Sequence, residues 1–421
     1  MRSTCLPSRL ARSPLKCGPW GRRSDMRLLL GGSPCTHWSI AQTKNRETEP
    51  SGVGWDLFEN YLIAMDKFKP DFFLYENNKS MSKAIREEIT KRLGVEPICI
   101  NSALVSAQNR QRLYWTNIPS VQQPEDRGIL LRDILETATR EKGYALNPIG
   151  KPLSEHELEY MARETSNGRN HFDFDYHHNA AKEKSQCLTA NTHRGVPYNV
   201  LVEPIRIGTI ENSAKNQDFD SQPYRVYSPD GKSVTLCGQG GGVGAKTGLY
   251  AAPVRVGDMP NSNGDWPHNN FLIESADGKT FPVYEVRNGL ITIKDKQYPI
   301  KLSDGFYIIR KLTVTECKRL QTVPDSYVFP VSDTQAYKML GNGWTVDVIA
   351  HILSYCPRIT SEPLDVLSMY DGMACGHIAL DKLGARIARY RATEIDKYAI
   401  KTACYNFPYI EQLGDAFQVR E

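Results

Sequence analysis

The 421-residue sequence holds no apolar run approaching the roughly 20 residues that a helix needs to span a bilayer. Its ten cysteines form no C-x-x-C pair, which argues against a structural zinc site and against a disulfide scaffold. Free thiols point instead to a reducing, cytoplasmic compartment. The nine histidines are equally scattered. The adjacent pair His177-His178 has no partner set at ligand spacing, so no metal is expected. One stretch, GQGGGVGAKT at 238–247, imitates a phosphate loop, but Gly244-Ala245-Lys246-Thr247 breaks the required G-K-[ST] adjacency, and it reads as a flexible loop. Strong charge is missing too. The formal +4 is local: residues 1–27 carry seven Lys/Arg against Asp25 alone, and the remainder has 45 basic and 47 acidic residues. Any nucleic-acid contact must therefore come from clusters rather than from a uniformly basic surface.

What is present is the composition of an ordered chain, 40% apolar and 24% charged, long enough for about two domains. Residues 1–26, rich in Arg, Ser, Pro and Gly, are expected to be a disordered basic extension, with Met26 as the true start. A phosphate-binding arm and a targeting peptide are the alternatives. Leu28-Leu29-Leu30 signals a buried strand running into Gly31-Gly32-Ser33-Pro34. Apolar residues at helical spacing over 54–68 predict a helix stopped at Lys69-Pro70. Phe72-Phe73-Leu74-Tyr75 predicts a strand that ends at Glu76-Asn77. A helix follows over 80–93, with Ser80 as N-cap and Gly94 past its end, and then a strand at 98–100. This alternation predicts a parallel sheet with right-handed crossovers.

From about 140 to 305 the texture changes to short strands among Asn, Gly, Asp, Ser and Pro. A weak echo repeats there at an offset of about 48 residues, a duplicated β-unit. Lys184-Ser185-Gln186-Cys187-Leu188 leads to Pro204-Ile205-Arg206-Ile207-Gly208, and Lys232-Ser233-Val234-Thr235-Leu236 leads to Pro253-Val254-Arg255-Val256-Gly257. The α/β pattern returns with a strand at 364–370, a tight loop at Asp371-Gly372-Met373-Ala374-Cys375-Gly376, a helix ending at Gly384, a strand at 386–393 and a helix at 396–405. A third short strand ends at Gly414-Asp415.

Strand, glycine loop, helix, strand, acid is the layout of a nucleoside-binding half-sheet. Glu394, 18 residues past Gly376, is placed to accept two ribose hydroxyls, and Asp415 to meet an adenine amino group. The loop is not G-x-G-x-x-G, which disfavours a dinucleotide. S-adenosyl-L-methionine needs no pyrophosphate cradle and suits it better; a packing loop with two surface acids is the bland alternative. At the other end of the chain, Cys35 follows a predicted parallel strand on a loop stiffened by Pro34, at the sheet edge where ligands bind. Glu76 ends the next strand. Each alone could equally be a core thiol and a solvated acid.

Together these features resemble the DNA (cytosine-5) methyltransferase family over nearly all of 28–417 outside the middle region. The carriers are GGSPC at 31–35, Glu76-Asn77, Gln108-Asn109-Arg110-Gln111-Arg112, Arg310-Lys311-Leu312-Thr313 through Glu316 and Arg319-Leu320-Gln321, and Gly341-Asn342-Gly343-Trp344-Thr345-Val346. The S-P-C and D-G-M-A-x-G forms are closer to de novo-type and phage-type enzymes than to the P-P-C-Q form. The resemblance implies a Rossmann-like, class I S-adenosylmethionine-dependent methyltransferase sheet. It makes Cys35 the nucleophile on cytosine C6 and Glu76 the acid on N3. Arg110 and Arg112 would brace the active-site loop and bind the base or phosphate. Pro34, Asn342, Tyr370, Asp371, Gly372, Met373, Glu394, Ile395, Asp415 and Ala416 fall at cofactor positions. C5 is a poor nucleophile until a thiolate adds at C6 and makes it enamine-like, which is why a cysteine and a carboxyl group are needed together.

The motif order departs from the family's. The cofactor loop comes last, after 341–346, as in a circular permutant with 354–363 as linker; the rival reading is a fragment of a tandem gene whose second copy opens at 364. The expected division is 27–140 and 306–353 for the catalytic half, 141–305 for a strand-rich target-recognition domain, and 364–421 for the S-adenosylmethionine-binding half. Within the recognition domain Lys184, Arg194, Arg206, Arg225, Lys232, Lys246 and Arg255 are candidates for phosphates and guanine edges. The implied partner is double-stranded DNA, with the cytosine flipped into the pocket. The implied setting is a monomer in the cytoplasm of a bacterial or phage-infected cell, beside a cognate restriction endonuclease. Methylation of tRNA and an inactive or split DNA-binding fragment are the alternatives.

Overall fold

The structure is a computed structural model that describes residues 25–34, 37–39, 46–136, 204, 206–209, 224–236, 248–253, 272–274, 280–293 and 296–420. The triple leucine forms β1 (Met26–Gly31), buried almost throughout, as a strand covered on both faces must be. The helix α1 (Val53–Phe68) follows, and its apolar stripe buries Trp55, Phe58, Tyr61, Ala64 and Phe68. Next come β2 (Phe72–Asn78), α2 (Lys83–Leu93) and β3 (Ile98–Asn101). The cap of α2 is Ser82, whose side chain accepts from the Ile85 N–H, and not Ser80, which donates instead to Asn78 Oδ1. Gly94, at φ 71°, closes the helix as predicted. Glu76 and Asn77 lie inside β2 and not beyond its end, because pairing extends through Asn78.

The expectation of a wholly parallel sheet requires a correction. The last two residues of the arginine motif, Gln111 and Arg112, open a strand, β4 (Gln111–Thr116), which runs back antiparallel between β2 and β3. Its alternation is plain once the pairing is known, since Leu113 and Trp115 pack on the α1 side and Tyr114 on the other.

The chain then contributes β5 (Arg206–Thr209), β6 (Arg225–Tyr227), β7 (Leu249–Pro253), β8 (Leu272–Glu274), β9 (Thr280–Arg287), β10 (Leu290–Ile293), β11 (Lys296–Pro299) and β12 (Gly305–Arg310) to a second sheet. Its own small core contains Ile207, Val226, Leu249, Ala251, Val286, Ile291, Ile300 and Ile309. A bridge between Gly208 and Ile300 brings its far edges together, so the sheet curls round.

Helices α3 (Val314–Leu320), α4 (Asp333–Asn342) and α5 (Val346–Ser354) return to the first sheet. They are followed by β13 (Pro363–Met369), α6 (Cys375–Lys382), β14 (Arg386–Thr393), α7 (Lys397–Asn406) and β15 (Glu411–Gly414). The resulting order is β15-β14-β13-β1-β2-β4-β3, parallel except at β4. This is the sheet of class I S-adenosylmethionine-dependent methyltransferases. The chain's first and thirteenth strands pair in register from Met26↔Leu364 to Gly31↔Met369. Among the described residues no helix is long and apolar enough to cross a membrane.

The second sheet is joined to the first by the segment 228–236. Lys232, expected to meet DNA, is buried instead. Its ammonium donates to the carbonyls of Ala103 (2.8 Å), Ser106 (3.1 Å) and Ile129. Beside it Ser233 bonds both ways with the backbone of 107–109, and Leu236 N–H donates to Gln108 Oε1. Of the other basic candidates, Arg206 is exposed, Arg225 half-buried, and Lys184, Arg194, Lys246 and Arg255 lie outside the described residues, as do residues 1–24, His177-His178 and the 238–247 loop. Lys232→Met keeps the bulk but leaves three buried carbonyls without their donor. It should lower unfolding free energy by about 1–3 kcal/mol; urea unfolding that matches the unsubstituted protein would show that this junction contributes nothing.

Candidate active site

The centre of the site is built on the carboxyl end of β1 and on β2. Gly32 follows β1 so closely against β2 that a Cβ there would lie 2.8 Å from the Glu76 carbonyl oxygen and 3.1 Å from its Oε2, so only glycine fits. Ser33 shares a 2.6 Å hydrogen bond with the Tyr75 hydroxyl, and Asn77 donates its amide to the Ser33 carbonyl at 3.1 Å. This fixes the turn leading to the exposed Pro34. Cys35 itself lies outside the described residues. On the far side of the loop Trp38 is fully buried, and its indole donates to Glu47, which also accepts from Gly54 N–H.

Glu76 is largely buried and both of its oxygens are held. Arg112 Nε reaches Oε1 at 3.1 Å, and the Trp344 indole donates to Oε2 at 2.8 Å. Arg110 plays a different part. It is buried and donates to the carbonyls of Leu236 (3.2 Å), Gly341 (3.1 Å) and Gly343 (3.0 Å), thereby tying the junction segment to the turn between α4 and α5. The segment 310–321 is structural: Arg310 and Glu316 form a buried pair with two close contacts, and Thr313 and Glu316 make a capping box at the start of α3. Trp344 is the residue that motif reading passed over. Its signal was position alone, beside the G-N pair.

The cofactor loop leaves β13 through three left-handed residues, Tyr370 (φ 59°), Gly372 (φ 59°) and Ala374 (φ 62°). A Cβ at Gly372 would meet nothing within 4 Å, so the glycine serves the backbone turn and leaves open space above it. Glu394 organises this loop: Oε2 accepts from Gly372 N–H, and Oε1 from the N–H groups of Ile395 and Asp396, all at 2.8 Å. Ile395 is 74% exposed and Phe417 39%, two large apolar side chains left bare beside the exposed Asp415. Asp415 Oδ1 accepts from Phe417 N–H. The Tyr370 hydroxyl donates to the Leu57 carbonyl, while Met373 and Ala416 are packed in the core and Asn342 is exposed at the end of α4.

Asp371 is buried, with Oδ1 accepting from the Tyr390 hydroxyl at 2.7 Å and Oδ2 without a partner. An unpartnered anionic oxygen beneath the loop, open space over Gly372, and bare apolar groups near two acids fit the ammonium, sugar and adenine of S-adenosyl-L-methionine.

A strand order with the nucleoside loop on one side of the central pair and a held carboxylate on the other defines the class: an S-adenosylmethionine-dependent methyltransferase. The description "C-5 cytosine-specific DNA methylase" matches residues 22–358, and the chain belongs to that family. Its methyl donor is S-adenosyl-L-methionine and it transfers methyl groups to cytosine. The orphan methyltransferase M.SPRI of Bacillus phage SPR is 26% identical over 379 residues, covering 78% of this chain and 82% of that protein. The type II methyltransferase M.HpaII of Haemophilus parainfluenzae is 58% identical over 41 residues, 10% of this chain and 12% of that protein. Among solved structures, the Entamoeba histolytica methyltransferase EhMeth aligns over 78% of this chain and 76% of its own, with 12% identity and a TM-score of 0.36.

Burial pushes the Asp371 carboxyl up to about 6, against the neighbouring Ser368 and Tyr390 hydroxyls, which pull it down. The folded protein then holds the proton more tightly than the unfolded chain, whose aspartates titrate near about 3.9. The carboxylate therefore costs stability above about pH 6, and the cost fades as pH falls toward about 4. Without cofactor, Asp371→Asn should be more stable than the unsubstituted protein at pH 7.5 by about 1–3 kcal/mol, with a smaller advantage at pH 5. Urea unfolding at the two pH values checks this, and an advantage that grew toward pH 5 would contradict it.

Proposed function

We propose that the protein methylates C5 of a cytosine flipped out of duplex DNA, through a covalent bond between Cys35 and C6. The observation that carries this is Glu76, held by Arg112 and Trp344 and buried against Gly32, which stands three residues before Cys35 in the loop. In this reading the Cys35 thiolate adds to C6 while Glu76 protonates N3, so the electron pair released from the C5–C6 double bond makes C5 nucleophilic. When bound, S-adenosyl-L-methionine supplies the electrophilic methyl group that C5 takes. Loss of the C5 proton to a base then expels Cys35 and restores the ring. Arg112 keeps Glu76 in place, and Arg110 holds together the backbone around it.

On the cofactor side, Glu394 would accept the ribose hydroxyls, Asp415 the adenine amino group, and Asp371 the methionine ammonium. Ile395 would cover one adenine face, the backbone of Tyr370, Gly372, Met373 and Ala416 would line the cleft, and Pro34 and Asn342 would stand nearest the methionine end.

The motif order is read as a circular permutation, with 27–140, 306–353 and 364–421 forming the catalytic body and 141–305 the recognition domain. It is supported by the full-length pairing of β1 with β13 and by the short path from Ser354 to Pro363. Duplex DNA rather than tRNA is favoured by the second sheet attached through Lys232–Leu236 to the loop holding Arg110.

Cys35→Ser should abolish transfer while leaving binding of S-adenosylhomocysteine intact, and duplex DNA containing 5-fluorocytosine should trap an adduct with the unsubstituted chain but not with Cys35→Ala. Retained transfer in the serine variant, or an adduct in the alanine variant, would assign the nucleophile elsewhere. Bisulfite sequencing of treated DNA, beside methyl incorporation into tRNA, reads the substrate and its target sequence.

A further inference from the structure

Trp344 lies between the β1 loop, Glu76 and the start of α6. Besides its 2.8 Å bond to Glu76 Oε2, its Nε1 lies 3.4 Å from where a Cβ on Gly32 would be, and its Cζ3 3.7 Å from the same place on Gly376. The ring is thus wedged between the loop that leads to Pro34 and the first turn of α6. The preceding Gly343 carbonyl accepts from Arg110 at 3.0 Å. The indole is therefore set from both sides before any substrate arrives.

A glutamate carboxyl turns about a broad, roughly two-fold final torsion, so a single partner leaves its plane loosely defined. Two donors on opposite oxygens fix that plane. They are not equal. Arg112 meets Oε1 as a charged partner, whereas the indole meets Oε2 as a neutral donor with no charge to hold it there. An acid that must meet N3 needs one oxygen aligned and releasable, and Oε2 is that oxygen.

We propose that Trp344 is a positioning residue for Glu76: its indole N–H holds the carboxyl group in the plane in which it meets N3, and yields Oε2 to the entering base. This rests on the reading of Glu76 as the acid.

Trp344→Phe keeps a flat ring in the wedge and removes the N–H. Single-turnover methyl transfer to duplex DNA should slow by about 10- to 100-fold. Affinities for DNA and S-adenosylhomocysteine should stay within about threefold, and in a Glu76→Gln background the same change should matter by less than about threefold, because residues acting through one group are not additive. A full-speed Trp344→Phe beside a slow Glu76→Gln overturns the proposal alone. So do equal losses in both backgrounds, and so does a matching loss of S-adenosylhomocysteine affinity, which would make Trp344 a cofactor contact. Full turnover in Glu76→Gln overturns the acid assignment, and the proposal with it. If Trp344→Phe does not fold, the indole N–H resonance of Trp344 is followed by NMR in the unsubstituted chain and in Glu76→Gln: it should move upfield on that substitution, and a stationary signal overturns the proposal.

Discussion

Six residues of β1 lie in parallel register against six of β13, and the two loops of the proposed site are positioned by that pairing. The loop after β1 leads toward Pro34, and the loop after β13 carries Asp371 and Gly372. Both loops leave the same edge of the sheet because the two strands run the same way. Buried on both faces, Leu28, Leu29, Leu30, Leu364 and Val366 leave no room for a slipped register, since a shift by one residue would turn each side chain to the opposite layer. The loops after β1 and β13, more than 300 residues apart in the chain, are thereby set side by side.

The second organising feature is a run of hydrogen bonds through buried polar groups. Lys232 fastens the second sheet to the backbone at 103–106; Leu236 meets Arg110; Arg110 holds Gly341 and Gly343; and Trp344 reaches Glu76. Each link uses a donor whose loss would strand a buried acceptor, so the arrangement is stiff. The second sheet and the Glu76 carboxyl group are thus parts of one hydrogen-bonded frame. The cofactor side is stressed differently. Asp371 is buried with one oxygen unpartnered, and three left-handed residues crowd its loop, features that cost the free protein stability.

Much of this was legible in the chain. The C-terminal half-sheet was read nearly to the residue, with β14 matching at 386–393, because strands, glycine turn and acids each carry local chemistry. The helix at 54–68 was equally plain from its periodicity. The strand β4 was missed because it opens on the polar pair Gln111-Arg112 directly after a loop, and only pairing with β2 and β3 makes it a strand. The α2 cap moved by two residues because two serines stand in a row of candidates, and local pattern does not choose between them. Lys232 looked like a surface cation since a lysine is seldom buried; only the fold supplies three carbonyls close enough to hold it.

By itself, then, the sequence determined the chemical parts: a strand-borne G-G-S-P-C loop, a carboxyl on the next strand, and a nucleoside half-sheet with Glu394 and Asp415 at its strand ends. These follow from short-range patterns, which a linear chain carries without folding. What only the tertiary structure decided is how the parts meet. The junction of β1 with β13, the reversal at β4, the burial of Lys232 and the bond from Trp344 to Glu76 all join residues distant in sequence. Such contacts depend on which surfaces are buried against one another, and no local spacing encodes that.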